Sequence, residues 1–142
     1  MASKFVSFDP GKDIPSLAGK VIFTTGANTD LGKHSALELA KHNPSQISVA
    51  SRNAKKGNAA VAEVKEAVLG LLPKPLLAST TRLDILLLSA GILGHPPALT
   101  KDGYEVQLGT NQLGHAPPLK LLTSLLIKTA SNPTGTGMRG VT

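Results

Sequence analysis

The chain has 142 residues, no cysteine and a formal net charge of +6. The length is that of one ordinary domain. The lack of cysteine excludes disulfides, cysteine nucleophiles and thiolate metal sites. Hydrophobic residues make up 41% of the chain, with no Trp, one Tyr and three Phe, so the core must be aliphatic. Residues 1–20 lack the basic-then-apolar pattern of a secretion signal. The longest apolar run, Ile85 to Leu93, is broken by Ser89 and falls short of the roughly 20 residues a membrane span needs. The expectation is a cytoplasmic chain with no membrane span. Basic residues are scattered, only Lys55 and Lys56 are adjacent, and no aromatics interleave with them. That pattern argues against nucleic acid and for a solvated basic surface or an anionic small-molecule ligand.

Residues 1–16 read as an arm with turn chemistry at Asp9-Pro10-Gly11, residues 17–130 as the folded domain, and residues 131–142 as a loose Gly/Pro/Ser/Thr-rich tail. Val21 to Thr25 is a short β-rich run and predicts a buried strand. Gly26 to Gly32 is a turn, and the stretch to Ala40 predicts a helix stopped by Asn43-Pro44. Ile47 to Ala50 predicts a second strand. Ala54 to Leu69 carries apolar residues at helical spacing. Residues 70–81 read as irregular. Leu83 to Leu88 predicts a third strand, apolar enough to be buried on both faces of a parallel sheet. Lys101 to Ala130 is mostly helical in composition, but Pro117-Pro118 cuts it, and interior proline costs on the order of 3 kcal/mol. The alternation predicts an α/β fold, a parallel sheet with helices on both faces. Ligands in such sheets bind at the carboxyl ends of the strands. Here those ends are the loops after Thr25, Ala50 and Ser89.

The first loop, Thr25 to Lys33, follows a strand and opens a helix. Glycines there let the backbone turn tightly, and the helix N-terminus offers free N–H groups to a phosphate. It is not a P-loop, because five residues separate Gly26 from Gly32 and His34 follows Lys33. It also misses strict G-x-G-x-x-G spacing. Arg52 stands twenty residues beyond Gly32, with no Asp or Glu between Glu38 and Glu63. In dinucleotide folds an acid near that position holds a ribose 2′-hydroxyl, whereas an Arg accommodates a 2′-phosphate. The spacing favours NADP over NAD. Leu83 to Gly91 is a strand ending in small residues, which let a ring lie close. Asp84 reads as the start of that strand and not as a catalytic acid. His34, His42, His95 and His115 are too scattered to argue a metal site, and no metal is expected.

Together these segments resemble the N-terminal part of a short-chain dehydrogenase/reductase, of the retinol-dehydrogenase-like, fungal-looking kind. The resemblance rests on Leu17 to Ile22, the Thr25 to Gly32 turn, Ala50-Ser51-Arg52-Asn53, Leu83 to Gly91, and Asp102 to His115. It implies a Rossmann-like three-layer fold, the cofactor NADP(H), and hydride transfer between the nicotinamide and a small alcohol or carbonyl. It places Gly26, Asn28, Leu31 and Gly32 along the pyrophosphate, Ser51 and Arg52 at the adenosine ribose, and Ala90 and Gly91 near the nicotinamide ribose. Asn111 matches the family's active-site Asn, which organises a water in the proton relay.

The chain also departs from the family. Asp30 stands where the family has a glycine, and a carboxylate there would oppose the pyrophosphate. Ser89 and Leu88 replace the usual asparagines. Glu66 to Thr81 are sixteen residues without an Asp, too few for the strand and long helix of the family, so one internal strand is expected to be missing. The family's acid–base Tyr, the Lys four residues later and the upstream Ser have no match, since Tyr104 is the sole tyrosine and Leu108 lies four residues on. Without a general acid–base, hydride transfer loses roughly 10²–10⁴-fold. Three readings follow from the residues. The chain is a truncated oxidoreductase domain inactive alone, a non-catalytic dinucleotide- or partner-binding module, or an unstable gene fragment.

Overall fold

A computed structural model describes residues 7–51, 54–67 and 80–132. Three strands form one parallel sheet: β1 Val21–Thr25, β2 Gln46–Ala50 and β3 Ile85–Leu88, in the order β2-β1-β3. The helices are α1 Pro10–Asp13, α2 Asp30–Ala40, α3 Ala54–Ala67, α4 Val106–Asn111 and α5 Ala116–Ala130. A 3₁₀ turn, Leu113–His115, leads into α5.

The period-2 alternation of β1 divides the core in two. Ile22 packs with Ile47, Ala36 and Ala40, so α2 covers one face of the sheet. Val21 packs with Leu83 and Leu122, with Phe23, Leu86, Leu125 and Leu126 around them, so α5 covers the other. The core is aliphatic, as the composition requires. Helices therefore lie on both faces, as the alternation of elements predicts. The spatial order reverses at β1, where the chain leaves β2 on one side and places β3 on the other.

Register decides what the sheet presents. Thr25 pairs with Ala50 on one side and with Leu88 on the other. All three strands therefore end at one level, and the loops that follow them emerge together. At the opposite end an ion cluster aligns β3 with β1. The Asp84 carboxylate, 2% exposed, accepts from Lys20 Nζ at 3.2 Å, from Arg82 Nε and a terminal guanidinium nitrogen at 2.7 and 2.6 Å, and from the Val21 N–H at 3.0 Å. The Thr129 hydroxyl accepts from the Leu83 N–H at 2.9 Å and donates to the Leu125 carbonyl at 2.8 Å, tying α5 to the start of β3.

Three expectations need adjusting. The Asp9-Pro10-Gly11 turn is the start of a one-turn helix: Asp9 accepts from the Gly11 N–H at 3.0 Å, and Asp13 accepts from the Asp9 N–H at 2.7 Å. Leu17, just beyond it, is buried in the α2-side core, and Ile14 packs against that core. The third strand is shorter than Leu83 to Leu88, because Leu83 and Asp84 are engaged by Thr129 and the ion cluster. Pro117 and Pro118 do not interrupt a helix; they sit in the first turn of α5. Amides of a first turn have no intrahelical acceptor to lose, so proline is tolerated there. The expected missing strand, Arg52, Asn53 and the tail from residue 133 fall outside the described residues.

Candidate dinucleotide site

The loop after β1 is built around two glycines. Gly26 has φ +69°, a conformation that costs an L-residue about 1–2 kcal/mol and glycine little. A β-carbon on Gly26 would lie 2.6 Å from both the Cα and the N of Ala90. A β-carbon on Gly32 would lie 2.5 Å from the Gly26 carbonyl oxygen. Only bare backbone fits at either position. The loop after β1, the first turn of α2 and the loop after β3 consequently pack backbone against backbone. The Ala90 N–H donates to the Thr25 hydroxyl at 3.2 Å, joining the ends of β1 and β3, and the Gly26 N–H donates to the Ala50 carbonyl at 3.3 Å, joining the loop after β1 to the end of β2. Thr25 is thus a positioning residue that the sequence reading did not single out, although its place at the last residue of β1 marks it.

Helix α2 starts immediately behind this contact. Its hydrogen bonding begins with the Lys33 N–H on the Thr29 carbonyl at 3.2 Å. The first-turn amides ahead of Lys33 have no acceptor within the helix. Thr29 stands at the N-cap without making a side-chain cap. A bare-backbone cradle in front of free amides and a positive helix end is what a phosphate requires. Asn28 is half-buried in the loop, Gly32 is buried, and Leu31 is 80% exposed. The residues fit a pyrophosphate with one exception: the exposed carboxyl-bearing Asp30, whose φ of +46° lies in the left-handed region.

The other predicted site residues flank the cradle. Ser51 follows the last residue of β2 and is half-buried. Ala90 is half-buried and Gly91 exposed, both just beyond β3. Asn111, at the end of α4, reaches this loop directly. Its Oδ1 accepts from the Ile92 N–H at 2.8 Å, and its Nδ2 donates to the Ile92 carbonyl at 2.9 Å. The amide clamps the backbone of the β3 loop at two points. Glu105 caps the helix that carries Asn111, accepting from the Gln107 and Leu108 N–H groups at 2.9 and 2.7 Å. These two bonds hold the Glu105 carboxyl below its ordinary range.

Sequence reasoning read Asp84 as a strand start and missed its ion cluster. The signal was present: Lys20 precedes β1 and Asp84 precedes β3, and parallel pairing brings the two together. Among the described residues, no three His, Asp or Glu side chains converge as a metal site, and no helix is long and apolar enough to cross a membrane.

Comparison with known proteins agrees with this architecture. No family model matches the chain. An uncharacterized oxidoreductase of Schizosaccharomyces pombe is 36% identical over 135 residues, 83% of this chain and 40% of the relative. Human retinol dehydrogenase 13 is 33% identical over 79% of this chain and 38% of its own length. A short-chain dehydrogenase/reductase of Armillaria gallica is 35% identical over 84% of this chain and 44% of its own. Among solved structures, an uncharacterized protein of Mycobacterium paratuberculosis superposes with a TM-score of 0.69 at 32% identity, over 83% of this chain and 46% of that one. A short-chain dehydrogenase of Shigella flexneri, solved in complex with NADP, shares the fold at a TM-score of 0.61 and 21% identity. The chain thus spans less than half the length of the curated relatives named here. Sequence kinship and a shared Rossmann-like sheet place it in the short-chain dehydrogenase/reductase family.

Proposed function

We propose that this chain is a nicotinamide-dinucleotide-binding domain that prefers NADP(H) to NAD(H). The observation that carries the proposal is the interlocked backbone of Gly26, Gly32 and Ala90 in front of the first-turn amides of α2. In this reading Gly26, Asn28, Leu31 and Gly32 face the pyrophosphate. Ser51 and Arg52 take the adenosine ribose and its 2′-phosphate. Ala90 and Gly91 border the nicotinamide ribose. Asn111 acts as a positioning residue that fixes the loop carrying Ala90 and Gly91. Bound there, the nicotinamide would supply hydride chemistry toward a small alcohol or carbonyl.

No acid–base partner for that chemistry is evident in the residues present, because the single Tyr104 has Leu108 four positions on. The reading is therefore of a domain that binds the dinucleotide but does not turn it over by itself. Calorimetric titration with NADPH and NADH tests it. The expected result is tighter binding of NADPH, with the preference reversed by Arg52→Asp. An unchanged preference in that variant removes Arg52 from the 2′-phosphate. Steady reduction of an added carbonyl well above background overturns the claim of inactivity.

A further inference from the structure

We infer that Asp30 sets the affinity of this cradle by acting as the resident anion of helix α2. The inference rests on the dinucleotide reading above and adds a residue that opposes it. Asp30 is the first residue of α2 and the only acid in its first turn. Its φ of +46° is a conformation that Gly adopts freely and that Asp and Asn tolerate better than other residues. A strained, non-glycine residue beside a ligand cradle is a reason to look for a role.

Among the described residues the Asp30 carboxylate has no hydrogen bond and no ion pair, and it is exposed. Two basic side chains in the first turns of α2 are engaged elsewhere. Lys33 pairs with Glu63 of α3 at 2.8 Å. The His34 ring nitrogen Nδ1 is hydrogen-bonded to the Asp30 backbone carbonyl at 2.9 Å, not to its carboxylate. Thr29 leaves the N-cap unused. The carboxylate is therefore the negative group that the positive end of α2 already has. A pyrophosphate entering this helix end meets a like charge in the same turn, and like charges at that range oppose binding.

The chemistry makes the penalty selective. It falls on the pyrophosphate, which NADPH and NADH share, and not on the 2′-phosphate that separates them. Asp30 should weaken both dinucleotides by one factor and leave their ratio alone. A nucleotide without any 5′-phosphate, such as adenosine 2′-monophosphate, should not feel it.

The experiment is calorimetric titration of the full chain and its Asp30→Asn and Asp30→Gly variants with NADPH, NADH and adenosine 2′-monophosphate. Asn keeps the shape and the tolerance of a left-handed backbone but removes the charge; Gly removes both charge and backbone strain. The expected result is that each variant binds NADPH and NADH about tenfold more tightly, with the NADPH-to-NADH ratio and the adenosine 2′-monophosphate affinity unchanged. Equal NADPH affinity in the wild type and Asp30→Asn overturns the inference and leaves the dinucleotide reading standing. So does an equal gain for adenosine 2′-monophosphate. Failure of all three proteins to bind either dinucleotide overturns the dinucleotide reading, and this inference with it.

Discussion

Gly26 lies so close to Ala90 that a β-carbon on Gly26 would fall 2.6 Å from the Ala90 Cα. The contact joins the loop after β1 to the loop after β3 across the point where the strand order reverses. In open α/β sheets that crevice is where ligands bind. Gly26→Ala should therefore cost stability twice, through the left-handed backbone and through overpacking. The expected loss is about 2 kcal/mol or more in urea unfolding, with dinucleotide binding lost as well. A variant as stable as the wild type would mean that the two loops can separate freely.

Asp84 makes stability depend on acid. Burial pushes its carboxyl up, but the hydrogen bonds from Arg82, the Val21 N–H and Lys20 outweigh burial and hold it below the ordinary range. A carboxyl lowered on folding contributes stability that is fully present above its unfolded pKa, about 3.9 for Asp. That contribution is lost as pH falls through the lower, folded value. Thermal melts taken from neutral pH downward should show it, with a shallower acid dependence in Asp84→Asn. Asp84→Ala leaves Lys20 and Arg82 without their acceptor and should cost about 3 kcal/mol at neutral pH. Parallel acid profiles for the wild type and Asp84→Asn would contradict the assignment.

Thr129 anchors α5 through one hydroxyl. Thr129→Val keeps the volume but strands the Leu83 N–H, and a buried donor without an acceptor costs about 1–3 kcal/mol. Thr129→Ser keeps the hydroxyl and should retain most of the stability. Denaturant midpoints of the two variants compare them directly; a Val variant no less stable than the Ser variant would show that the bond contributes little.

Asn111 should be felt at a distance from its own helix. Asn111→Ala removes both bonds to Ile92. The Ile92 amide should then exchange its proton faster in heavy water, while the amides of β1 keep their protection. Unchanged exchange at Ile92 would mean that other contacts hold the loop.

The sheet was legible because its signals are local and redundant. Val21 to Thr25 is a β-rich run between Gly19-Lys20 and a turn, and nothing in the fold overrides it. The cradle was legible for the same reason: a strand, a glycine turn and a helix adjoin in sequence. The stretch from Lys101 to Ala130 does break, but not at the prolines, because helical composition does not show where one helix ends and the next begins. In the fold, α4 ends at Asn111, a 3₁₀ turn intervenes, and Pro117 and Pro118 initiate α5 instead of breaking it. The Asp84 cluster and the Thr129 anchor join residues more than forty positions apart. Local pattern contains no record of such pairs until the strand register is known. Asn111 was identified by resemblance alone; its clamp on Ile92 spans 19 residues and has no periodic signature.

The most direct test of the dinucleotide reading is a thermal melt by circular dichroism, with and without excess NADPH. A ligand that binds only the folded chain adds about 2.7 kcal/mol at 100 times its dissociation constant. For a domain of this size that raises the midpoint by several degrees. The expected result is one cooperative transition shifted upward by NADPH, and shifted less by NADH at equal concentration. A midpoint indifferent to saturating amounts of both would contradict it, and the cradle at Gly26 and Gly32 would then be a structural turn without a ligand.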